Sequence, residues 1–335
     1  MYIDPMKISW AELQRRKVMS IANDRPGHFV LSFAIVIAIL AVSTASIFVR
    51  FAQLEAPSIV IAALRLGFAV VAIAPLAIIR YGSELRALTR HELLLGALSG
   101  VFLAIHFAAW ITSLEYTSVV SSVVLVATGP LWVALFSPLF LKEPLTRPVL
   151  VGMLLALLGG VTIALGDSCE IDGGLVCPSL SGFLRGDVLL GNFLALVGAW
   201  AVAGYLMIGR KLRSGMSLIP YIFVVYGVAA AALFAAMFGS GQSPLGFSGM
   251  TYVWILLLAL LPQLIGHTTF NWILRYLPVT LVAITTLGEP IGSAVLAYFI
   301  LKELPASLTI FGGIFILVGI YVSSRSGNHD RDIRS

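Results

Sequence analysis

Two formal charges stand deep inside otherwise apolar stretches of the chain, Arg65 and Glu289, the latter directly before Pro290. A charged side chain at the centre of an apolar span is unfavourable by roughly 2.5–3.5 kcal/mol on insertion scales, so each is expected to face a protein interior with a partner or water. A carboxylate there exchanges its proton as a cation comes and goes, which is what coupling to protons or cations requires. A guanidinium offers a planar fork, either to neutralise that carboxylate or to bind an acidic group of a solute. A purely structural ion pair between the two is the alternative.

Polar and aromatic residues recur at spacings of four in two other apolar stretches. His106 and Trp110 form one stripe, and Gln263, His267 and Asn271 form another. Imidazole titrates near neutrality, and Trp presents a flat face to a ring or a cation. Each histidine serves equally well as an interhelical hydrogen bonder. Together the stripes outline one cavity, with Arg65, His106, Trp110, Gln263, His267, Asn271 and Glu289 as candidate solute contacts and Glu289 as the coupling group. Tyr205, Tyr226, Ser43, Thr44, Ser121, Ser122, Thr285 and Thr286 offer hydroxyls either to that cavity or to backbone carbonyls.

Other chemistry finds little support. Histidines at 28, 91, 106, 267 and 329 have no ligand spacing, and neither a nucleotide-binding loop nor an aspartate-rich motif is present, so no metal and no cofactor are expected. Gly246-Phe247-Ser248-Gly249 has the pattern of an intramembrane serine protease nucleophile with His267 as base, but it falls in an expected external loop. That reading stands as a minor alternative.

These residues must be held by membrane helices. Of 335 residues 59% are hydrophobic and 11% charged, with a mean hydropathy of +1.00, far from the roughly 25% charge of soluble domains. Crossing a core about 30 Å thick takes ~20 apolar residues. Ten such stretches fit: 29–49, 57–79, 93–113, 118–140, 148–166, 187–208, 218–238, 251–272, 279–300 and 307–323. No alternation of a membrane β-barrel is visible.

Lys and Arg crowd alternate loops, among them Arg80, Arg86, Arg90, Lys142, Arg210, Lys211, Arg213 and Arg275, while the opposite side holds Arg50, Arg185 and Lys302. The basic side is expected to be cytoplasmic, with both termini on it. The net charge of +5 then reflects topology, and no nucleic-acid partner is expected. Residues 1–28 carry Lys7, Arg15, Arg16 and Lys17 without a cleavable apolar core and read as a cytoplasmic tail. Residues 324–335 form a second tail. Cys169 and Cys177 share the external loop 167–186, where either a disulfide or two free thiols are expected.

Shifting the chain by 160 positions superposes Arg50 on Arg210, Gly67 on Gly227, Pro130 on Pro290, Leu141-Lys142-Glu143 on Leu301-Lys302-Glu303, Gly152 on Gly312 and Gly159 on Gly319. The chain is a duplicated unit, 29–166 and 187–323. Five crossings per copy force the second copy to enter the bilayer upside down, the inverted-repeat design of secondary transporters. The fold expected is all-α, ten transmembrane helices in two inverted five-helix repeats. Pro130 and Pro290 fall mid-span in equivalent helices, where each removes an amide hydrogen bond and opens a kink, either a hinge or a static packing feature. Gly152/Gly159 and Gly312/Gly319 are expected to form a close-packed seam, as are Gly96 and Gly100.

Ala63-Leu64-Arg65, the Pro130 helix running into Leu141-Lys142-Glu143, and Glu289-Pro290 running into Leu301-Lys302-Glu303, all set in two five-span copies, resemble EamA-type members of the drug/metabolite transporter superfamily over residues 30–324. The resemblance implies a central cavity built mainly by spans one to four and six to nine, with spans five and ten as peripheral supports. It also implies export of amino acids or other small metabolites. The reading is an inner-membrane secondary carrier working by alternating access, a monomer or homodimer with a small-molecule solute and lipids as partners. A passive facilitator is the runner-up.

Overall fold

The structure is a computed structural model and describes residues 26–140, 147–168, 170–171, 175–176, 186–277 and 279–324. Cys169, Cys177, Leu141-Lys142-Glu143 and most of both tails lie outside the described residues. The order is α1 (His28–Ser43), α2 (Ala45–Ala52), α3 (Ser58–Arg86), α4 (Arg90–Tyr116), α5 (Val119–Val126), α6 (Gly129–Phe140), α7 (Arg147–Ser168), β1 (Glu170–Ile171), β2 (Leu175–Val176), α8 (Asp187–Arg213), α9 (Leu218–Gly239), α10 (Gly249–Leu258), α11 (Thr268–Ile273), α12 (Val279–Thr285), α13 (Gly288–Leu296) and α14 (Ser307–Ser324). π-helical turns, Ala259–His267 and Ala297–Leu301, follow α10 and α13. The two strands form a single antiparallel ribbon with Glu170 opposite Val176.

Among the described residues seven helical rods are long and apolar enough to cross a membrane, and Leu150–Ile163, Gly288–Leu301 and Ser307–Gly319 are shorter apolar segments. Large apolar side chains cover the outside, with Ile79 85% and Phe29 82% exposed, while Arg65, Gln263 and Asn271 are 0% exposed. A soluble protein would invert that distribution. The chain is a multi-pass helical membrane protein.

Several rods are broken, and the sequence shows why. The expected kink at Pro130 is a full break: α5 ends at Val126, and α6 restarts at Gly129-Pro130. Proline near a helix start lacks only an N–H that would have had no intrahelical partner, so the break removes the steric conflict that a mid-helix proline carries. Thr128 donates its hydroxyl to the Leu125 carbonyl at 2.7 Å and covers the loose end. Pro290 repeats the arrangement, following a break between Thr285 and Gly288. A third break at Thr44 splits the first rod, with the Thr44 hydroxyl bonded to the Ala41 carbonyl at 2.7 Å.

The packing pairs helices that the 160-residue shift relates. α7 packs on α14, and α3 on α9; α4 lies against α8 just as the first rod lies against α10 and the π-helical turns after it. Small residues allow the closest approaches. A Cβ on Gly159 would fall 2.5 Å from the Gly312 carbonyl, one on Gly312 would fall 2.6 Å from the Gly159 carbonyl, and one on Gly319 would fall 2.5 Å from the Gly152 carbonyl. The expected seam is therefore an α7–α14 contact through the duplicated glycines. Gly96 and Gly100 do the same for α4 against Val224, Val225 and Val228 of α9.

Side chains cap the starts of α4, α5 and α10. Thr89 and Glu92 exchange side-chain to amide bonds of 3.2 and 2.8 Å at the head of α4. At the head of α10, the Glu55 carboxylate from the loop after α2 accepts from the Ser248 amide and the Thr251 hydroxyl, both at 2.8 Å. The Ser248 amide bond and then the Thr251 hydroxyl bond hold the Glu55 pKa below its ordinary 4.5. A depressed carboxylate stabilises the fold above the unfolded-state value and loses that contribution as pH falls through the folded one. Glu55→Gln is therefore expected to melt below wild type at pH 7. In detergent melts taken from pH 7 into acid, the gap should begin to shrink as pH falls below 4.5 and close below the lower folded-state value.

Candidate functional site

One cavity opens between the two halves, with Val42, Arg65, His106, Trp110, Ala127, Pro130, Tyr205, His267, Thr286 and Glu289 on its wall. Its lining comes from both copies, and among the described residues none of it comes from α7 or α14. Breaks at Ala127–Thr128 and at Thr286–Leu287 border it, so the two interrupted rods meet the cavity where their backbones turn.

Arg65 is the centre of the site. α3 carries it into the bundle with no exposed surface. Its Nε donates to Gln263 Oε1 at 3.1 Å, and its guanidinium carbon stands 4.0 Å from the centre of the Phe107 ring and 5.9 Å from that of Trp110. A cation desolvated over an aromatic face gains up to about 2 kcal/mol. That offsets only part of the cost of burial. Arg65 Nη1 and Nη2, Trp110 Nε1 and Gln263 Nε2 are buried without a hydrogen-bond partner among the described residues. Glu289 is half-buried on the same cavity wall, and neither its carboxylate nor any other described one comes within 4.0 Å of Arg65.

The first predicted stripe is intact. The His106 and Trp110 rings lie nearly parallel, 7° apart with centroids separated by 6.2 Å. His106 Nδ1 lies 2.9 Å from the Gly198 carbonyl. A carbonyl only accepts, so Nδ1 carries the proton and Nε2 is the atom left for other contacts. The second predicted stripe is divided. Its helix runs through π-helical turns around Pro262, and these redirect successive side chains. Gln263 turns to Arg65, and His267 turns to the cavity, with its ring centre 5.2 Å from Phe107 and 6.3 Å from His106. Asn271 turns away into a buried network, donating from Nδ2 to the Tyr205 hydroxyl at 2.5 Å and the Tyr226 hydroxyl at 3.2 Å. Asn271 and Gln263 thus back the cavity and do not line it, and Pro290 is buried outside its lining.

Four of the eight hydroxyls named from sequence serve the backbone. Ser43, Thr44, Thr285 and Thr286 donate to carbonyls three or four residues back, at 2.7–2.8 Å. Ser122 bonds Ser113 at 2.6 Å. Ser248 caps α10, accepting from the Thr251 amide at 3.4 Å. His267 lies about 28 Å further along the same rod at 1.5 Å per residue, so the two form no nucleophile–base pair.

Four participants escaped sequence reading. Phe107, which carries the Arg65 guanidinium, is one of many core phenylalanines and has no sequence signal. Arg213 was counted among loop charges, yet it is 1% exposed and donates to the Asn271 carbonyl at 3.0 Å and to the Met216 carbonyl. Arg50 and Glu303 join the halves: Arg50 Nη2 lies 3.4 Å from Glu303 Oε1 and donates to the Thr117 carbonyl at 2.9 Å, while Glu303 Oε2 accepts from the Val119 amide at 2.9 Å. Recurrence of Arg50 as Arg210 and of Glu303 as Glu143 was the available signal.

The EamA-like transporter family profile matches the chain twice, over residues 30–165 and 189–325. The chain belongs to this family. An uncharacterised transporter of Archaeoglobus fulgidus is 26% identical over 231 residues, 68% of this chain and 74% of the relative. The pseudopaline exporter CntI of Pseudomonas aeruginosa is 24% identical over 241 residues, 72% of this chain and 78% of CntI. A crystal structure of another protein matches with a TM-score of 0.62 over 90% of this chain and 99% of its own, at 18% identity, a likeness of fold alone. The protein is a membrane transporter of the drug/metabolite type, and the repeated profile match corresponds to the duplication seen in the sequence.

The Tyr205–Asn271–Tyr226 network makes Asn271 a framework residue whose loss strands buried hydroxyls. Asn271→Ala is expected to cost about 1–3 kcal/mol. A clearly lowered melting temperature in detergent is the reading that checks it.

Proposed function

We propose that this protein is a secondary active exporter of small organic metabolites such as amino acids, working by alternating access in the bacterial inner membrane with both termini cytoplasmic. The observation that carries the reading is a charged cavity between two duplicated halves, bordered by rods broken beside Pro130 and Pro290. The seven long rods and three shorter apolar segments account for ten crossings in two inverted sets of five. The pairwise packing of shift-related helices supports that arrangement. Pro130 and Pro290 act as hinges, because a break in a rod concentrates backbone rotation in a few residues.

The cavity leaves about 60 Å³ for the centres of water-sized molecules, a few waters at ~10–15 Å³ each. It is therefore contracted, and a metabolite enters only after the halves part. Glu289 couples that motion to protons or another cation: it faces the cavity without a hydrogen-bonded side-chain partner among the described residues. His106, Trp110, His267 and Arg65 contact the solute, with Gln263 and Asn271 behind them. The protein works as a monomer or homodimer without a cofactor.

In the proposed orientation Arg50, Glu303 and the Val119 amide close the external end. Lys302, just before Glu303, has a left-handed φ of 59° after π-helical turns. Such a backbone is held only by its surroundings and costs about 1–3 kcal/mol, so the latch stores strain that its release recovers.

Two measurements test this reading. In proteoliposomes, export is expected to saturate and to show counterflow, where a passive pore gives neither; Glu289→Gln is expected to remove the pH dependence, and an unchanged rate and pH profile would end the coupling role. Loss of the latch, worth about 1–2 kcal/mol, shifts the two states by roughly 5- to 30-fold. Glu303→Gln should therefore speed labelling of Val126→Cys by an external thiol reagent by that factor, in a background lacking Cys169 and Cys177. Labelling at the wild-type rate would show that the contact does not hold the external end.

A further inference from the structure

Two residues on the cavity wall carry three buried donors without a hydrogen-bond partner among the described residues. Arg65 Nη1 and Nη2 and Trp110 Nε1 lack hydrogen-bond partners among the described residues, although Arg65 is 0% and Trp110 3% exposed and both stand on the cavity wall. Burying an ionised group without full partners is expensive, so these donors are expected to be served at some point in the working cycle.

The surroundings define what serves them. Phe107 occupies one face of the guanidinium at 4.0 Å, which fixes its plane. Gln263 Oε1 takes the Nε–H at 3.1 Å, which fixes the rotation within that plane. The capacity left free is the outer edge, two parallel N–H donors on Nη1 and Nη2. A planar group with two equivalent oxygens matches this edge in spacing and charge, and a single hydroxyl or carbonyl does not. Trp110 Nε1 adds a third donor of fixed direction on the same wall.

Resting on the reading of this cavity as the solute site, we propose that the exported solute carries a carboxylate, bound end-on by Arg65 Nη1 and Nη2 with Trp110 Nε1 as the third donor. Phe107 and Gln263 act as positioning residues that hold the fork in place. The cavity has room for only a few waters, and entry of the solute oxygens supplies the donors' hydrogen bonds in their place. The carboxylate also supplies the counter-charge that no described side chain brings within 4.0 Å of Arg65.

The test uses the full-length protein in detergent, with thermal unfolding as the readout and matched probes: the L-amino acids, acetate, succinate and citrate, the amides of the same amino acids, and potassium chloride. At least one carboxylate is expected to raise the melting temperature, and its amide is expected not to. Arg65→Lys keeps the charge but loses the fork and should weaken that binding by at least about tenfold. Trp110→Phe keeps a ring but loses the N–H and should weaken it several-fold. An unliganded melting curve and a monodisperse size-exclusion peak confirm that each variant is folded; should Arg65→Lys misfold, Trp110→Phe and the amide comparison carry the test.

Equal stabilisation by an acid and its amide, full binding in the folded variants, or no effect from any carboxylate would overturn the proposal. Stabilisation by chloride alone would also overturn it, since the site would then be one for inorganic anions. Counterflow in proteoliposomes separates this from the broader reading. Saturable export of neutral or cationic solutes alone leaves the carrier and removes the carboxylate site; Arg65-dependent binding without counterflow leaves the site and removes the carrier.

Discussion

A guanidinium with two nitrogens unpartnered among the described residues, at the centre of an apolar helical bundle, is the constraint around which the rest is arranged. In lipid or in a dry core such a group has no solvent to fall back on, so its neighbours must be chosen to tolerate it. Phe107 supplies a π face, Gln263 supplies one acceptor, and the residue stands on the cavity wall. Gln263 is available only because π-helical turns interrupt the rod at Ala259–His267, and those turns also separate His267 from Asn271. A continuous α-helix would have kept the three polar side chains along one stripe and brought more of them into the cavity. The bulge instead divides them between holding the arginine, facing the cavity and bonding the tyrosines.

Irregular backbone is concentrated in the rods that border the cavity. The first, fourth, eighth and ninth apolar segments are broken or π-helical, whereas α7 and α14 run unbroken and pack backbone to backbone through duplicated glycines. Breaks at membrane depth leave backbone groups that need partners, which protein neighbours and short side chains supply but lipid does not. Thr44, Thr128, Thr285 and Thr286 provide that service from within one turn. Their hydroxyls are thereby committed to the backbone, which leaves Arg65, Trp110, His106, His267 and Glu289 as the chemically free groups.

Legibility in the sequence followed the same division. Arg65 and Glu289 stood out because charge in an apolar stretch is rare and costly, and both reach the cavity. The glycine seam was readable because its spacing recurs in both copies and a seven-residue repeat keeps one helical face. Pro130 and Pro290 announced irregularity but not its form, since a proline within an apolar run fits a kink as well as a complete break. The Thr44 break carried no comparable mark. Phe107 was invisible because packing against a cation is a matter of tertiary position, and any core phenylalanine has the same local pattern. Arg213 and Arg210 were assigned to a loop by the asymmetry of basic residues, and that assignment concealed a second role. Both donate to the carbonyls at the end of the α11 rod, where basic groups also suit the helix dipole. The turning of Asn271 away from the cavity depended on π-helical turns that no periodicity in the sequence specifies.

The duplication explains how an ion pair can join the halves at one end of the molecule without a specialised element to form it. Arg50 and Glu303 belong to motifs that each copy contains, yet they meet across the halves, arginine from the first and glutamate from the second. A residue pair that joins two copies in this way reports their relative position directly. The ion pair is only about a quarter exposed, and the carboxylate also takes the Val119 amide at the start of α5, the rod that breaks at Pro130. Position of the halves, capping of a broken rod and the left-handed turn at Lys302 are thereby tied into one contact. Coupling between distant parts of a protein needs an element with two discrete arrangements that both parts bias. In the proposed cycle the broken rod, capped by the opposite copy at Val119 and interrupted on the cavity wall, is the element with two arrangements that would tie the cavity to the end of the bundle.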